Sequence, residues 1–274
     1  MVSVSGFFSR QARVVAALAR VSISQLVQYR IEALIEGVLS LLGLGTALVP
    51  LWVVFGNRTT IEGWSYPEML VVVGWFTVLK AFLEGTINPS LLAVIDHIRK
   101  GTLDFVLLKP ADAQFLVSTA RFDPWHVIDG LGALVLIGVA AHRHHLVVGG
   151  AAPGGLAPGA AVLLLGCAVL MIYALWLLVV CAAFYVVRID NLSYLFTSVF
   201  DFARWPRSVF RGVLGVVFTY VLPLAVMTSF PADALLGKLR PTEALWAVAC
   251  TAALLLGSRV IWRRAIANYT SASS

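Results

Sequence analysis

Six apolar stretches, at 31–55, 68–90, 125–141, 161–187, 208–227 and 243–262, are separated by short segments that hold most of the charge. A helix needs about 20 residues to cross about 30 Å of hydrocarbon, and most of these runs are close to that length. Inside lipid every backbone amide must bond within its own segment, which leaves the helix as the only conformation for such runs. The pattern predicts an all-α polytopic membrane protein with six transmembrane helices between 31 and 262. Composition agrees with it. Sixty per cent of the 274 residues are hydrophobic and 12% are charged, whereas soluble domains carry about a quarter charged residues. A soluble fold of this length could not hide so much apolar surface.

Residues 5–29 have a different periodicity. At 100° per residue Arg10, Arg13, Arg20, Ser24 and Gln28 fall on one side of a helix and Phe8, Val15, Ala19 and Leu26 on the other. The stretch 1–29 is therefore expected to lie as an amphipathic helix in the membrane interface. A solvated helix packed on a partner protein is the alternative. The first thirty residues show no uninterrupted apolar core of the kind a cleavable signal needs. The net charge of +6 is spread in short clusters between apolar runs rather than in one patch, which speaks for lipid and against nucleic acid. Cys167, Cys181 and Cys250 all lie within apolar runs, so they read as small hydrophobes and imply no disulfide framework.

Lysine and arginine set the expected orientation. With the N-terminus inside, fifteen fall in inner segments. These are Arg10, Arg13, Arg20 and Arg30, then Arg99, Lys100, Lys109 and Arg121, then Arg188, Arg204, Arg207 and Arg211, then Arg259, Arg263 and Arg264. Arg58, Arg143, Lys238 and Arg240 make four outside. Both termini are therefore expected in the cytoplasm. A re-entrant dip at 228–242 is left open.

The segment DHIRKGTLDFVLLKP, residues 96–110, is the most specific stretch. Asp96 and Lys100 are spaced as a favourable helical pair. Gly101 suits the position just past a helix end. Thr102 is expected to cap a new short helix, with Asp104 in its positive first turn. Leu103 and Leu107 share a face, and Pro110 disfavours continuation. The expected result is a cytoplasmic helix that presents leucines for docking to another protein. A helix lying back on the membrane is the alternative.

No GxxxxGK[ST], HExxH or GxSxG is present, so no ATPase, metalloprotease or hydrolase signature is carried. Ionisable residues inside the runs are few. Lys80 and Glu84 lie four apart in the second run, where a lone charge costs roughly 3 kcal/mol or more and pairing is expected. They read either as a structural ion pair or as the lining of a substrate path. Glu32 and Glu36 read as interfacial, and so do His126 and Asp129. His142, His144 and His145 end the third run without zinc-like spacing, and no metal is expected. Most tryptophans sit near run ends, as an aromatic belt does.

The stretch Ile98-Arg99-Lys100-Gly101-Thr102-Leu103-Asp104-Phe105-Val106-Leu107-Leu108-Lys109-Pro110 resembles the first cytoplasmic loop of type-2 ABC exporter permeases. Ala203-Arg204-Trp205-Pro206 resembles the Arg-x-Pro before their fifth span. The Asn268–Ser273 tail, NYTSAS, resembles the Tyr-x-Ser-Ala ending of one subgroup. The resemblance spans nearly the whole chain. It implies a single permease domain in a bacterial cell membrane, with 91–124 as the cytoplasmic coupling loop. It also implies a second permease, identical or homologous, and two copies of a separate ABC ATPase subunit. ATP and Mg would be bound by that partner, and this chain would hold no cofactor. Arg99, Lys100, Gly101, Leu103, Asp104, Leu107, Leu108, Lys109 and Pro110 would form the docking surface. The helix at 1–29 would be the connecting helix at the inner leaflet. An unknown amphipathic or hydrophobic substrate would leave the cytoplasm. A secondary transporter or channel subunit using Lys80–Glu84 is the rival expectation.

Overall fold

The computed structural model describes residues 30–109, 112–148, 156–185 and 190–269. The expected interfacial helix at 1–29, Pro110, most of the Gly/Ala/Pro connection at 149–160 and the tail beyond Tyr269 lie outside the described residues. The all-α expectation holds. Five helices are long and apolar enough to cross a membrane, or six if one bent pair is counted as a span.

The first crossing is α1 (Arg30–Phe55). A two-residue β-hairpin comes next, pairing Thr60 with Ser65 and Ile61 with Trp64. Its turn needs positive φ at both central residues, Glu62 at 48° and Gly63 at 83°. The central element is a 34-residue rod, Tyr66–Arg99. It comprises α2 (Tyr66–Phe82), a π turn at Leu83–Ile87 and α3 (Asn88–Arg99). In its most apolar window 67% of the residues are buried, against 6% in α1. The rod is therefore the core and α1 the loosely held wall. At its start the Ser65 N–H donates to Glu68 Oε2 at 3.0 Å, which satisfies one orphan donor of the first turn. The π turn has a cause in the sequence. Pro89 has no N–H, so the carbonyl of Gly85, four residues back, has no helical donor. The Asp123 N–H takes that carbonyl at 2.8 Å.

Helix α6 (His126–Val148) packs along α2. Gly74 permits the approach, because a side chain there would strike Ile137. The third run was expected to stop at 141. The helix instead continues through the histidines, because His144 finds a buried partner in Glu68 at 3.3 Å. His142 and Arg143 are exposed. Helix α7 (Leu156–Ala182) packs on the last crossing, α11 (Pro241–Ala267). Both run the same way, since Phe184, just beyond α7, meets Trp262 of α11.

The chain must therefore recross between them, and here the expected fifth span at 208–227 is corrected. The crossing is α8 (Asp190–Phe200), a 3-10 turn at Asp201–Arg204, extended Trp205 and Pro206, and a second 3-10 turn at Arg207–Val209. Arg207 then reaches Glu243 at 2.7 Å and Arg211 reaches Glu62 at 2.6 Å, both at the β-hairpin end. A bent pair of helices comes after this crossing. One limb is α9 (Gly212–Val216) with a π turn at Val217–Val221, and the other is α10 (Leu224–Leu235). The limbs bend by 84°. The pair enters and leaves at that same end, because Lys238, just past it, pairs with Glu68 at 2.8 Å. Apolarity alone cannot separate a span from such a helical hairpin. Buried Met227 and Phe230 pack it into the core, and polar bonds fix it to the crossing: Thr228 Oγ1 donates to the Ala203 carbonyl at 2.7 Å, and Ser229 Oγ accepts from the Arg207 N–H at 3.2 Å.

The molecule thus has a loop end, where 100–125 sits, and a hairpin end. Arg204 lies in the body, and Arg207 and Arg211 lie at the hairpin end rather than with the inner basic clusters. Among the described residues the lysine and arginine tally becomes eight at the loop end to six at the hairpin end.

Candidate functional site: a loop-end elbow and a charged cavity

At the loop end α3 closes with a Schellman pattern. The Thr102 N–H donates to the His97 carbonyl at 2.9 Å and the Gly101 N–H to the Ile98 carbonyl at 3.2 Å. Gly101 holds φ at 64°, the left-handed conformation that glycine adopts without penalty. The chain then turns into a four-residue helix, α4 (Asp104–Leu107). Thr102 does not cap it as expected. Its hydroxyl contacts His97 Nδ1 at 2.7 Å, and Leu103 occupies the cap position.

The leucines are also distributed differently from the expectation. Leu103 is fully buried, because the tight turn after Gly101 swings it under the helix. Leu107 is half-buried against the core. The exposed apolar pair is Phe105, 70% accessible, and Leu108, 81% accessible. Arg99, Lys100 and Lys109 are exposed around them, and Lys100 pairs with Asp96 at 2.7 Å. Asp104 is half-buried. Tyr269, the described start of the tail motif, packs edge-on against Phe184.

A second short helix, α5 (Ala113–Ser118), was not anticipated. Asp112 caps it, accepting from the Phe115 N–H at 3.2 Å. The same carboxylate takes a forked pair of bonds from Arg259 of α11, at 3.2 and 2.5 Å. That guanidinium holds the Asp112 carboxyl below the usual aspartate range, outweighing burial. Arg259 also donates to Gln114 Oε1 at 2.5 Å. Gln114 Nε2 donates to the Tyr173 hydroxyl of α7 at 2.9 Å, and Ser118 Oγ contacts that hydroxyl at 2.7 Å. The return of the loop is tied to the rod through Ser90, whose Oγ donates to the Arg121 carbonyl at 2.5 Å. The elbow is therefore clamped to the rod, α7 and α11 at once. A signal for this existed in the sequence: Arg259 is a lone cation within an apolar run.

The second feature lies between α1 and the rod. A cavity of about 510 Å³ is lined by Ser40, Phe76, Lys80, Glu84, Trp125, His126, Asp129 and Arg204, with apolar residues of α1. Lys80 Nζ is 3.7 Å from Glu84 and 3.6 Å from Asp201. The expected pair is present and is shared with a third residue. Asp201 also meets Arg204 at 3.2 Å, and the Arg204 guanidinium sits 5.3 Å over the Phe76 ring. Thus the Arg-Trp-Pro motif marks a break inside the body, not the start of a span. His126 and Asp129, read as interfacial, face the cavity instead. They bond at 2.8 Å, Ser40 donates to Asp129, and His126 Nε2 stands 3.8 Å from Glu84.

At the hairpin end Lys238 and His144 converge on buried Glu68, and Arg207 lies 3.9 Å from buried Asp233. This cluster holds the helical hairpin onto α2 and α6. No group of three or more residues among the described ones has the arrangement of a metal site.

No curated protein and no solved structure matches the chain. A sequence model of the ABC-2 family transporter proteins matches residues 41–273, which takes in the rod, the elbow, the broken crossing and the last span. With that match added to the spans of a multi-pass membrane protein, the chain belongs to the ABC-2 family transporter proteins and is a membrane permease component of an ABC transporter.

Proposed function

We propose that this chain is the transmembrane subunit of an ATP-driven exporter, pushed by a separate ATPase through the loop-end elbow. The single observation that carries the reading is α4. It holds two exposed apolar side chains, Phe105 and Leu108, on an elbow that is clamped to three crossings. Exposed phenylalanine and leucine beside Arg99, Lys100 and Lys109 suit an apolar docking contact rimmed by charge. In this reading the loop end is cytoplasmic, as the basic bias of eight to six among the described residues supports, and both termini lie there in a bacterial inner membrane.

ATP and Mg belong to the partner. Two ATPase copies act on two permeases, the second identical or homologous. ATP binding draws the ATPases together, and the closed form is favoured only by its tighter hold on nucleotide. The docked elbows then move the rods, and access shifts from the loop end to the hairpin end. The cavity at Lys80 and Glu84 is the substrate path, and its mixed wall suits an amphipathic or hydrophobic substrate.

The test is co-purification of the tagged full chain with its ATPase. Phe105→Asp together with Leu108→Asp releases the ATPase while the permease stays folded and monodisperse. An ATPase that stays bound to that folded variant removes the docking assignment.

A further inference from the structure

Two cavities stand in line beside α1. The one already described is lined by α1 from Leu39 to Ala47 and by the rod from Phe76 to Glu84. A second, of about 230 Å³, is lined by Ala47, Pro50 and Leu51 of α1, by Val73 of the rod and by the broken crossing at Ser198, Asp201 and Arg204. Helix α1 runs from the loop end to the hairpin end, and the rod runs back. Both walls therefore place the second cavity nearer the hairpin end. Ala47 and Arg204 are common to the two linings. Ala47 brings only a methyl group, so Arg204 is the side chain with the reach to stand between them.

Arg204 is held there from several directions. Its Nε donates to the Asp201 carbonyl at 2.9 Å, and its guanidinium meets Asp201 Oδ1 at 3.2 Å. The same guanidinium lies 5.3 Å over Phe76, whose ring stacks on Phe200 at 5.4 Å. Asp201 Oδ1 also stands 3.6 Å from Lys80 Nζ. The wall thus runs from the crossing, through Arg204 and Asp201, to the rod at Phe76 and Lys80. Arg204 balances Asp201 and Lys80 balances Glu84, so the wall stands without any further ion.

The wall is also built to part. The Arg204 and Asp201 side chains are 31% and 38% exposed, and an ion pair that wet opens at small cost. Arg204 ends a 3-10 turn and extended Trp205 follows, so turning it away breaks no α-helical ladder. Lys80 lies three residues before the π turn of the rod, and movement at that joint shifts it against Asp201. We infer that Arg204 is the gate of the path: paired with Asp201 and laid over Phe76, it divides a loop-end chamber from a hairpin-end chamber and swings clear when Lys80 and Asp201 separate. The inference rests on the cavity being the substrate path and adds the residue that closes it. The loop-end chamber, at about 510 Å³, falls within the roughly 300–1,000 Å³ of small-molecule sites and the other falls below it. Substrate therefore waits on the loop-end side of Arg204.

The test is one-sided thiol labelling of the full chain in sealed vesicles. The native thiols Cys167, Cys181 and Cys250 are replaced by alanine. Leu108→Cys marks the loop-end face and Arg58→Cys the hairpin-end face. Thr77→Cys reports on the loop-end chamber and Ser198→Cys on the hairpin-end chamber. The reagent is sulfonatoethyl methanethiosulfonate, an impermeant anion that loss of an arginine would not attract. From the hairpin-end face, Ser198→Cys is expected to react about tenfold or more faster than Thr77→Cys. Adding Arg204→Ala should raise the Thr77→Cys rate from that face about tenfold, and leave its rate from the loop-end face within about twofold. Asp201→Asn, which frees the guanidinium, should act in the same direction and carries the comparison if Arg204→Ala fails to fold. Equal rates for the two thiols with Arg204 in place overturn the gate. So does an unchanged one-sided rate in both folded variants, or an equal rise from both faces, which is general loosening. The ATPase is absent from this assay. Loss of one-sided labelling with ATPase capture intact sinks only the gate, whereas failed capture with one-sided labelling intact sinks the transporter reading instead.

Discussion

Arg259 and Asp112, 147 positions apart, close a forked ion pair that ties the last crossing to the cap of a six-residue helix in the loop. The fork uses two guanidinium nitrogens on two carboxylate oxygens, a geometry a lysine cannot copy. Arg259→Lys is therefore expected to keep the charge and lose the clamp. Stimulation of ATP hydrolysis by the bound permease should fall several-fold while ATPase capture persists. The exchange of both residues, Asp112→Arg with Arg259→Asp, should recover part of the loss in a double-mutant comparison.

The same pair sets a pH response. The carboxyl of Asp112 is held below its ordinary value by Arg259. Its contribution to stability is then fully present above the unfolded pKa of about 3.9 and is lost as pH falls through the lower folded value. Melting of the unaltered chain against Asp112→Asn should differ steadily from pH 7 to about pH 4.5. The gap should narrow only under stronger acid. A gap that already closes near neutrality contradicts the assignment.

Leu103 and Leu108 are expected to separate folding from docking. Leu103 is fully buried, so Leu103→Ala should cost about 3 kcal/mol. Leu108 is 81% accessible, so Leu108→Ala should stay within about 0.5 kcal/mol. Thermal unfolding in detergent gives the comparison, and ATPase capture should show the reverse order for the folded proteins.

Lys80 lies between Glu84 and Asp201, so its removal leaves two carboxylates short of a cation. Lys80→Met alone should destabilise by about 1–3 kcal/mol. Lys80→Met with Glu84→Gln should destabilise less, because one orphaned charge is gone. Equal melting temperatures for the two variants would count against the pair.

Gly85 is the tight point of the π turn. A Cβ there would stand 3.1 Å from the Asp123 carbonyl oxygen and 3.2 Å from His126 Cβ. Gly85→Ala is expected to cost about 1–3 kcal/mol through overpacking. It should also speed amide exchange at Asp123, whose N–H is held by the Gly85 carbonyl.

The spans were legible because lipid imposes one rule on every residue of a run, and Lys80–Glu84 was legible because helix spacing alone places that pair. The Gly101 turn was readable too, since only the left-handed conformation needs a glycine there. Partners drawn from distant segments were not readable. Asp201, Asp112 and Tyr173 look ordinary in sequence, and packing gives each its neighbour. The 208–227 run misled because a helical hairpin dipping from one side is as apolar as a true span. The exposed side of α4 misled because Leu103 comes after a tight turn, so the helix starts at a different phase from the one its leucine spacing suggests.

The rod of 34 residues is about 51 Å long at 1.5 Å per residue, well beyond the hydrocarbon it crosses. A helix of that length transmits force stiffly except where its ladder is interrupted, and the interruption here falls at Leu83–Pro89, directly beside Glu84. If the proposed docking at the elbow holds, a push delivered at Gly101 would bend the rod at the joint where the charges sit. On that proposal the work of the distant motor would arrive as a change in spacing between Glu84 and the cations around it, and the rest of the lever would travel without deforming.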